Sequence, residues 1–137
     1  MQRVPIDQIE KDEDYLVYKI WEFARFTGVA FETSSTGTVI YEVEYLNGIQ
    51  EGMERTWYPS GQLREEREYR RNMAHGWTKD YDEAGTLISE RLFEFGIQVE
   101  ARYWTPTGES LGISKIDSDD PEYSMLETLR KAKWASD

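Results

Sequence analysis

Residues 45–63 read Tyr45-Leu-Asn-Gly48-Ile-Gln-Glu-Gly52-Met-Glu-Arg-Thr-Trp57-Tyr-Pro-Ser-Gly61-Gln-Leu63. Two turn signals, Asn47-Gly48 and Tyr58-Pro-Ser-Gly61, bracket a short run ending in Trp57. The same punctuation recurs along the chain. Gly28, Gly52 and Gly76 lie 24 residues apart. Gly37, Gly61 and Gly85 keep that interval, and Gly108 follows 23 residues later. Gly48, Asn72 and Gly96 form a third series, in which Asn stands where a positive φ is still tolerated.

The side chains between the glycines keep the same register. Val39, Leu63 and Leu87 each follow a glycine by two residues, and Tyr45, Tyr69 and Phe93 close each unit with an aromatic. A fixed period of this length marks a repeat architecture. Three full units span 28–51, 52–75 and 76–99, with a degenerate fourth from 100 to about 117. Each unit reads as a strand of about six residues, a turn and a strand of about eight, joined by a loop to the next unit. The predicted fold is mainly β, a single-layer antiparallel meander of repeated hairpins. Glu100 replaces a repeat glycine and one residue is missing between Gly96 and Trp104, so the fourth hairpin is expected to be bent or out of register.

The ends differ. Asp119, Asp120 and Pro121 suit a helix start, and Leu126, Leu129 and Trp134 recur near helical spacing before Arg130, Lys131 and Lys133. A short C-terminal helix over roughly 120–134 is predicted, capping the last hairpin. Residues 14–20 alternate loosely and are expected to form an extra first strand, after a mobile acidic segment. The length of 137 residues fits one domain. It divides into an N-terminal segment and first strand (1–25), the hairpin repeats (26–117) and the C-terminal helix (118–137).

Phe26-Thr-Gly28-Val-Ala30, the Tyr45-Leu-Asn-Gly48 to Gly52 step and Trp57-Tyr-Pro-Ser-Gly61-Gln-Leu63-Arg-Glu65 carry a resemblance. Over residues 26–109 the chain resembles MORN-type repeat proteins, and more narrowly the variant found in bacterial YwqK-type antitoxins. The resemblance implies a binding protein rather than an enzyme. It suggests an antitoxin or immunity protein that neutralises a cognate bacterial toxin by direct stoichiometric binding through an acidic sheet face or edge. The alternative is a scaffold or protein–protein interaction module without a toxin partner.

Charge supplies a candidate surface. The formal net charge is −11, which repels nucleic-acid phosphates and anionic lipid, and suits a basic protein partner. Simple alternation places Val39, Tyr41, Val43 and Tyr45, with their repeat equivalents, on one apolar face. Val29, Phe31, Met53, Trp57, Trp77 and Tyr81 are expected to join them there, together with Arg55, Arg67 and Arg91. The other face would hold Glu42, Glu44, Glu54, Glu66, Glu68, Asp80, Asp82, Glu90 and Glu94, opposed mainly by Arg64 and Arg70. An ordinary solvated face explains such carboxylates too, but nine against two is lopsided for solubility alone. Those nine are the partner-binding candidates.

Chemistry is sparse. There is no cysteine and a single histidine, His75, read as a loop residue before Gly76. Disulfides, thiol catalysis and zinc sites of the usual kind are therefore not expected. Asp117-Ser-Asp119-Asp120-Pro121-Glu122 lacks the glycine and spacing of a calcium loop and reads better as helix capping. No catalytic residue, metal or cofactor is expected, nor any nucleic-acid or membrane partner. With no apolar leader or spanning run, a cytoplasmic protein is the default expectation.

Overall fold

The structure is a computed structural model that describes residues 1–20 and 22–132. Each predicted unit forms its hairpin. β4 (Gly28–Thr33) pairs with β5 (Val39–Leu46), and β6 (Ile49–Trp57) with β7 (Leu63–Arg70). β8 (Met73–Tyr81) pairs with β9 (Leu87–Glu94), and β10 (Ile97–Trp104) with β11 (Ser110–Lys115). Successive hairpins also pair with one another, so the sheet runs in chain order from β4 to β11. This is the predicted single-layer meander, with one short C-terminal helix, α1 (Tyr123–Lys131).

Two kinds of turn alternate. The hairpins are linked by two-residue turns, Asn47-Gly48, Arg71-Asn72 and Phe95-Gly96, in which both residues have positive φ. That backbone matches the twist of the flanking strands. Within the hairpins, five-residue connections recur. In each, a glycine N–H donates back to the first turn residue: Gly37 to Ser34, Gly61 to Tyr58, Gly85 to Asp82 and Gly108 to Thr105.

Repeat glycines Gly52 and Gly76, expected just before strands, lie instead inside β6 and β8. There the ladder bulges. Between Val43↔Glu54 and Tyr45↔Gln50 the later strand carries two extra residues, and the same holds between Arg67↔Thr78 and Tyr69↔Ala74. In the fourth unit the corresponding step, Leu92↔Glu100 to Phe93↔Gln98, has one extra residue, Val99. The missing residue is thus absorbed by a smaller bulge. β10–β11 carries the same turn and bulge as its predecessors, so the irregularity expected of the fourth unit is confined to the step between β9 and β10.

The N-terminal segment departs from expectation. Residues 3–5 form β1 (Arg3–Pro5), which joins the sheet edge parallel to β4. A 3-10 turn (Ile6–Gln8) leads to β2 (Ile9–Lys11), which pairs with β3 (Val17–Lys19) in a separate two-stranded sheet. The expected extra strand at 14–20 therefore exists only as three residues, and outside the main sheet. Burial explains this choice. Val4, Val17 and Phe26 are buried with Ile9 and Tyr45 packed against them, which covers one corner of the sheet.

At the other corner Leu126 of α1 is fully buried among Phe95, Ile97 and Val99, and Leu129 packs beside it. The helix is shorter than expected. Asp119 and Asp120 do not cap it, since Glu122 holds the cap position without a side-chain bond. Instead Asp120 accepts from Asp117 N–H, and Asp117 accepts from Asp119 N–H, folding a turn ahead of the helix. Lys133 and Trp134 lie outside the described residues.

Candidate protein-binding surface

Directly opposed residues of an antiparallel pair share a face. Next to the first three five-residue turns the pairing joins odd with odd residues, as in Trp57↔Leu63 and Tyr81↔Leu87, and next to the fourth even with even, Trp104↔Ser110. One step further a single extra residue intervenes: Ile40, Arg64, Ile88 or Leu111. From there odd residues oppose even ones. This bulge is what simple alternation misses, and it redistributes the predicted faces.

Val29, Phe31, Met53, Arg55 and Trp77 move to the side of the carboxylates, opposite Glu44, Glu42, Glu68, Glu66 and Leu92. Glu54 and Asp80 move the other way, opposite Arg67 and Glu65. The expected nine-carboxylate face therefore does not exist as one surface.

What forms in its place is a row of alternating charge. Glu42 opposes Arg55, Arg55 opposes Glu66, Glu66 opposes Lys79, Lys79 opposes Glu90, and Glu90 opposes Arg102. Arg55 Nε donates to Glu66 at 2.8 Å and its Nη1 to Glu42 at 3.3 Å, while Arg3 reaches Glu42 at 3.1 Å. The row is neutral in sum, and its ion pairs tie β1, β5, β6 and β7 together. We call this side the ladder face.

The remaining carboxylates also have internal work. Glu44 accepts from Met53 N–H and lies against Gly52, where a Cβ would collide with it; Glu68 lies likewise against Gly76. In the third unit that pair is replaced by Leu92 and Glu100, so carboxylate and glycine change together. Asp82 accepts from Ala84 and Thr86 N–H and builds its turn. Glu94 is gripped by Arg130 at 2.9 and 2.6 Å, which holds its carboxyl below the usual range. Arg64 lies over the Tyr58 ring at 5.6 Å.

The opposite side, the tyrosine face, carries Tyr41, Tyr45, Tyr69, Phe93 and Tyr103 in one surface with Glu54, Glu65, Arg67, Asp80 and Arg91. Small side chains, Ala30, Thr78, Ser89 and Ala101, are buried in the troughs between them. Thr78 Oγ1 and Arg67 Nε are buried here without a hydrogen-bond partner, but the other polar groups are held. Burial, then the hydrogen bond that Tyr41 Oη donates to Glu54 at 2.7 Å, holds the phenol well above its ordinary range. Ser89 Oγ donates to Asp80 at 2.5 Å, and Arg91 Nη2 donates to the same carboxylate at 3.1 Å. Arg67 lies 3.5 Å from Glu65 and donates to Tyr69 Oη at 3.3 Å.

Glu65 and Asp80 stand directly opposite each other. Burial, then a hydrogen bond with Asp80, raises the Glu65 carboxyl above its usual value, against the pull of Arg67 and Arg91. The sequence signal for this cluster was the repeat itself, which places Arg67 and Arg91 24 residues apart. Glu65 was visible only as a residue of the apolar face.

His75 is a strand residue of β8, not a loop residue. Among the described residues no group of three or more His, Cys, Asp or Glu is placed to hold a metal ion, and no helix is long and apolar enough to cross a membrane.

A family model for a MORN repeat variant matches residues 50–71, the β6–β7 hairpin and the turn after it. Comparisons with curated proteins and with solved structures find no match. A repeat of this kind points to a protein-binding scaffold.

Proposed function

We propose that this chain is a stoichiometric protein-binding module, acting as an immunity protein that neutralises a toxin by occupying it. Its docking surface is the tyrosine face. The observation that carries this reading is the aromatic and charged cluster of Tyr41, Glu54, Glu65, Tyr69, Asp80 and Phe93 on a sheet built as a single layer. Tyrosine and arginine concentrate binding energy at interfaces, and side chains already held by hydrogen bonds lose little freedom on docking. Three carboxylates in that cluster, within a chain of net charge −11, favour a basic partner. The toxin partner rests on the resemblance to antitoxins alone.

The test is binding to a toxin domain encoded immediately upstream. A one-to-one complex by calorimetry, with rescue of cells making the toxin, is expected. Tyr69→Ala should weaken it about tenfold or more, while Glu66→Gln on the ladder face should leave it unchanged. A complex lost with Glu66→Gln but indifferent to Tyr69→Ala would move the site to the ladder face. Binding without rescue would leave a scaffold.

A further inference from the structure

Helix α1 is held in two ways. It has nine residues and no side-chain cap at its N-terminus, and a helix that short does not persist on its own in water. It exists because it docks. Its single buried residue, Leu126, packs in one cluster with Phe95, Ile97 and Val99. An ion pair fastens it, the two-pronged grip of Arg130 on both oxygens of Glu94 at 2.9 and 2.6 Å.

Both holds meet the sheet at the same place. Glu94 and Phe95 are consecutive, the last residue of β9 and the first of the turn that follows. His75 of β8 stands beside them. Its Nδ1 accepts the Phe95 N–H at 3.0 Å, and its ring lies edge-on to the Phe95 ring. The same imidazole interacts electrostatically with Glu94. His75 therefore touches the apolar hold and neighbours the ionic one.

Charges reach this imidazole from each neighbouring strand. Glu68 and Arg70 come from β7, Glu94 from β9, and Glu51 of β6 lines the same cavity. Burial, then Arg70, disfavours the imidazolium, while Glu94 and Glu68 favour it. Glu94 is shared between two cations. With α1 docked, Arg130 engages both its oxygens. With α1 released, that carboxylate is left to face His75, and the cluster around Phe95 opens to water. Both changes favour the proton. Protonation in turn puts a hydrogen on Nδ1, where it meets the Phe95 N–H. The turn then loses its hydrogen bond, and Leu126 loses the ring it packs with.

We propose that α1 is a pH-gated strap: it stays docked while His75 is neutral, and is released when His75 takes a proton and Glu94 passes from Arg130 to the imidazolium. Release uncovers Phe95, Ile97 and Val99. The docked form binds the proton more weakly than the released form, so docking is full above pH 6.5 and weakens as pH falls below it. The strap does not depend on the toxin reading, because its test contains only this chain.

His75 is the only histidine, so its ring protons titrate as one resolved NMR signal. Coupling is reciprocal: what the proton does to the helix, the helix does to the proton. Leu126→Ala changes no charge, yet it should loosen α1 and raise the His75 pKa toward 6.5. Arg130→Gln, at a partly exposed position, should raise it too. In the unaltered chain the Leu126 methyl signals should move toward random-coil positions between pH 7.5 and 5.5, while the β6 and β7 amide signals stay in place. His75→Gln should abolish that movement. A His75 pKa unmoved by Leu126→Ala, or helix signals that move equally in His75→Gln, overturns the strap. A pKa unmoved by Arg130→Gln overturns the exchange of Glu94.

Discussion

His75 Nδ1 accepts the backbone N–H of Phe95 at 3.0 Å, and the two rings meet edge to face with centroids 5.0 Å apart. The bond is one of a series. Thr27 accepts from Asn47 N–H, Glu51 from Arg71 N–H and His75 from Phe95 N–H, always 20 residues apart and repeating every 24. Each latches a two-residue turn to the preceding hairpin. Phe95 needs its latch most, because a bulky residue at φ 53° is strained.

The latch makes stability depend on pH. Nδ1 can accept only while unprotonated, and burial, then Arg70, lowers the His75 pKa below its ordinary 6.5. A depressed folded-state pKa means the unfolded chain takes the proton first. The contribution is therefore full above pH 6.5 and is lost as pH falls below it. Urea midpoints measured at pH 7.5 and 5.5 should drop on acidification. In His75→Gln, the part of that slope due to this residue should vanish.

Gly76 and Gly37 separate two costs of a side chain. Both have positive φ, 113° and 87°, but only at Gly76 would a Cβ strike a neighbour, the Glu68 carboxylate. Gly37→Ala should cost about 1 kcal/mol from backbone strain. Gly76→Ala should cost about 1–3 kcal/mol more, from the displaced carboxylate. Combining Gly76→Ala with Glu68→Ala should recover most of that excess in denaturant titration.

These positions show what was legible beforehand. The 24-residue register gave the hairpins, both turn series and Asn72 at positive φ, because backbone demands leave a direct mark in glycine and asparagine. The faces were misread because the extra residues at Ile40, Arg64 and Ile88 carry no common side chain. A bulge that changes parity is invisible to alternation. Asp119 and Asp120 misled for a related reason, since a turn before a helix and a helix cap draw on the same residues.

The ladder face yields a charge-swap experiment. Arg55 serves both Glu42 and Glu66. Arg55→Glu should destabilise by about 1 kcal/mol, since it removes two favourable neighbours and adds two like charges at partly exposed positions. Adding Glu66→Arg restores one of the two pairs and should recover part of the loss. Salt should shrink both effects. Reversing Glu42, Glu66 and Glu90 together would dismantle the row itself, so a binding loss in that triple variant would report stability as well as docking. Chemical melts of the same variants distinguish the two.

Glu65 offers the sharpest separation of stability from binding. It faces Asp80 across β7 and β8, where like charges oppose folding. Its pKa is raised in the folded state, so the group favours folding below about its ordinary 4.5, and that advantage fades as pH rises through the raised folded value. At neutral pH the carboxylate is a net cost. Glu65→Gln keeps the shape and removes the charge, so it should raise stability at pH 7 by up to about 1 kcal/mol, with little gain at pH 4. If the tyrosine face receives a basic partner, the same substitution should weaken the complex while stabilising the free protein, as expected where a binding site retains unfavourable charge. A variant that is both more stable and equally tight would assign the carboxyl pair no part in docking.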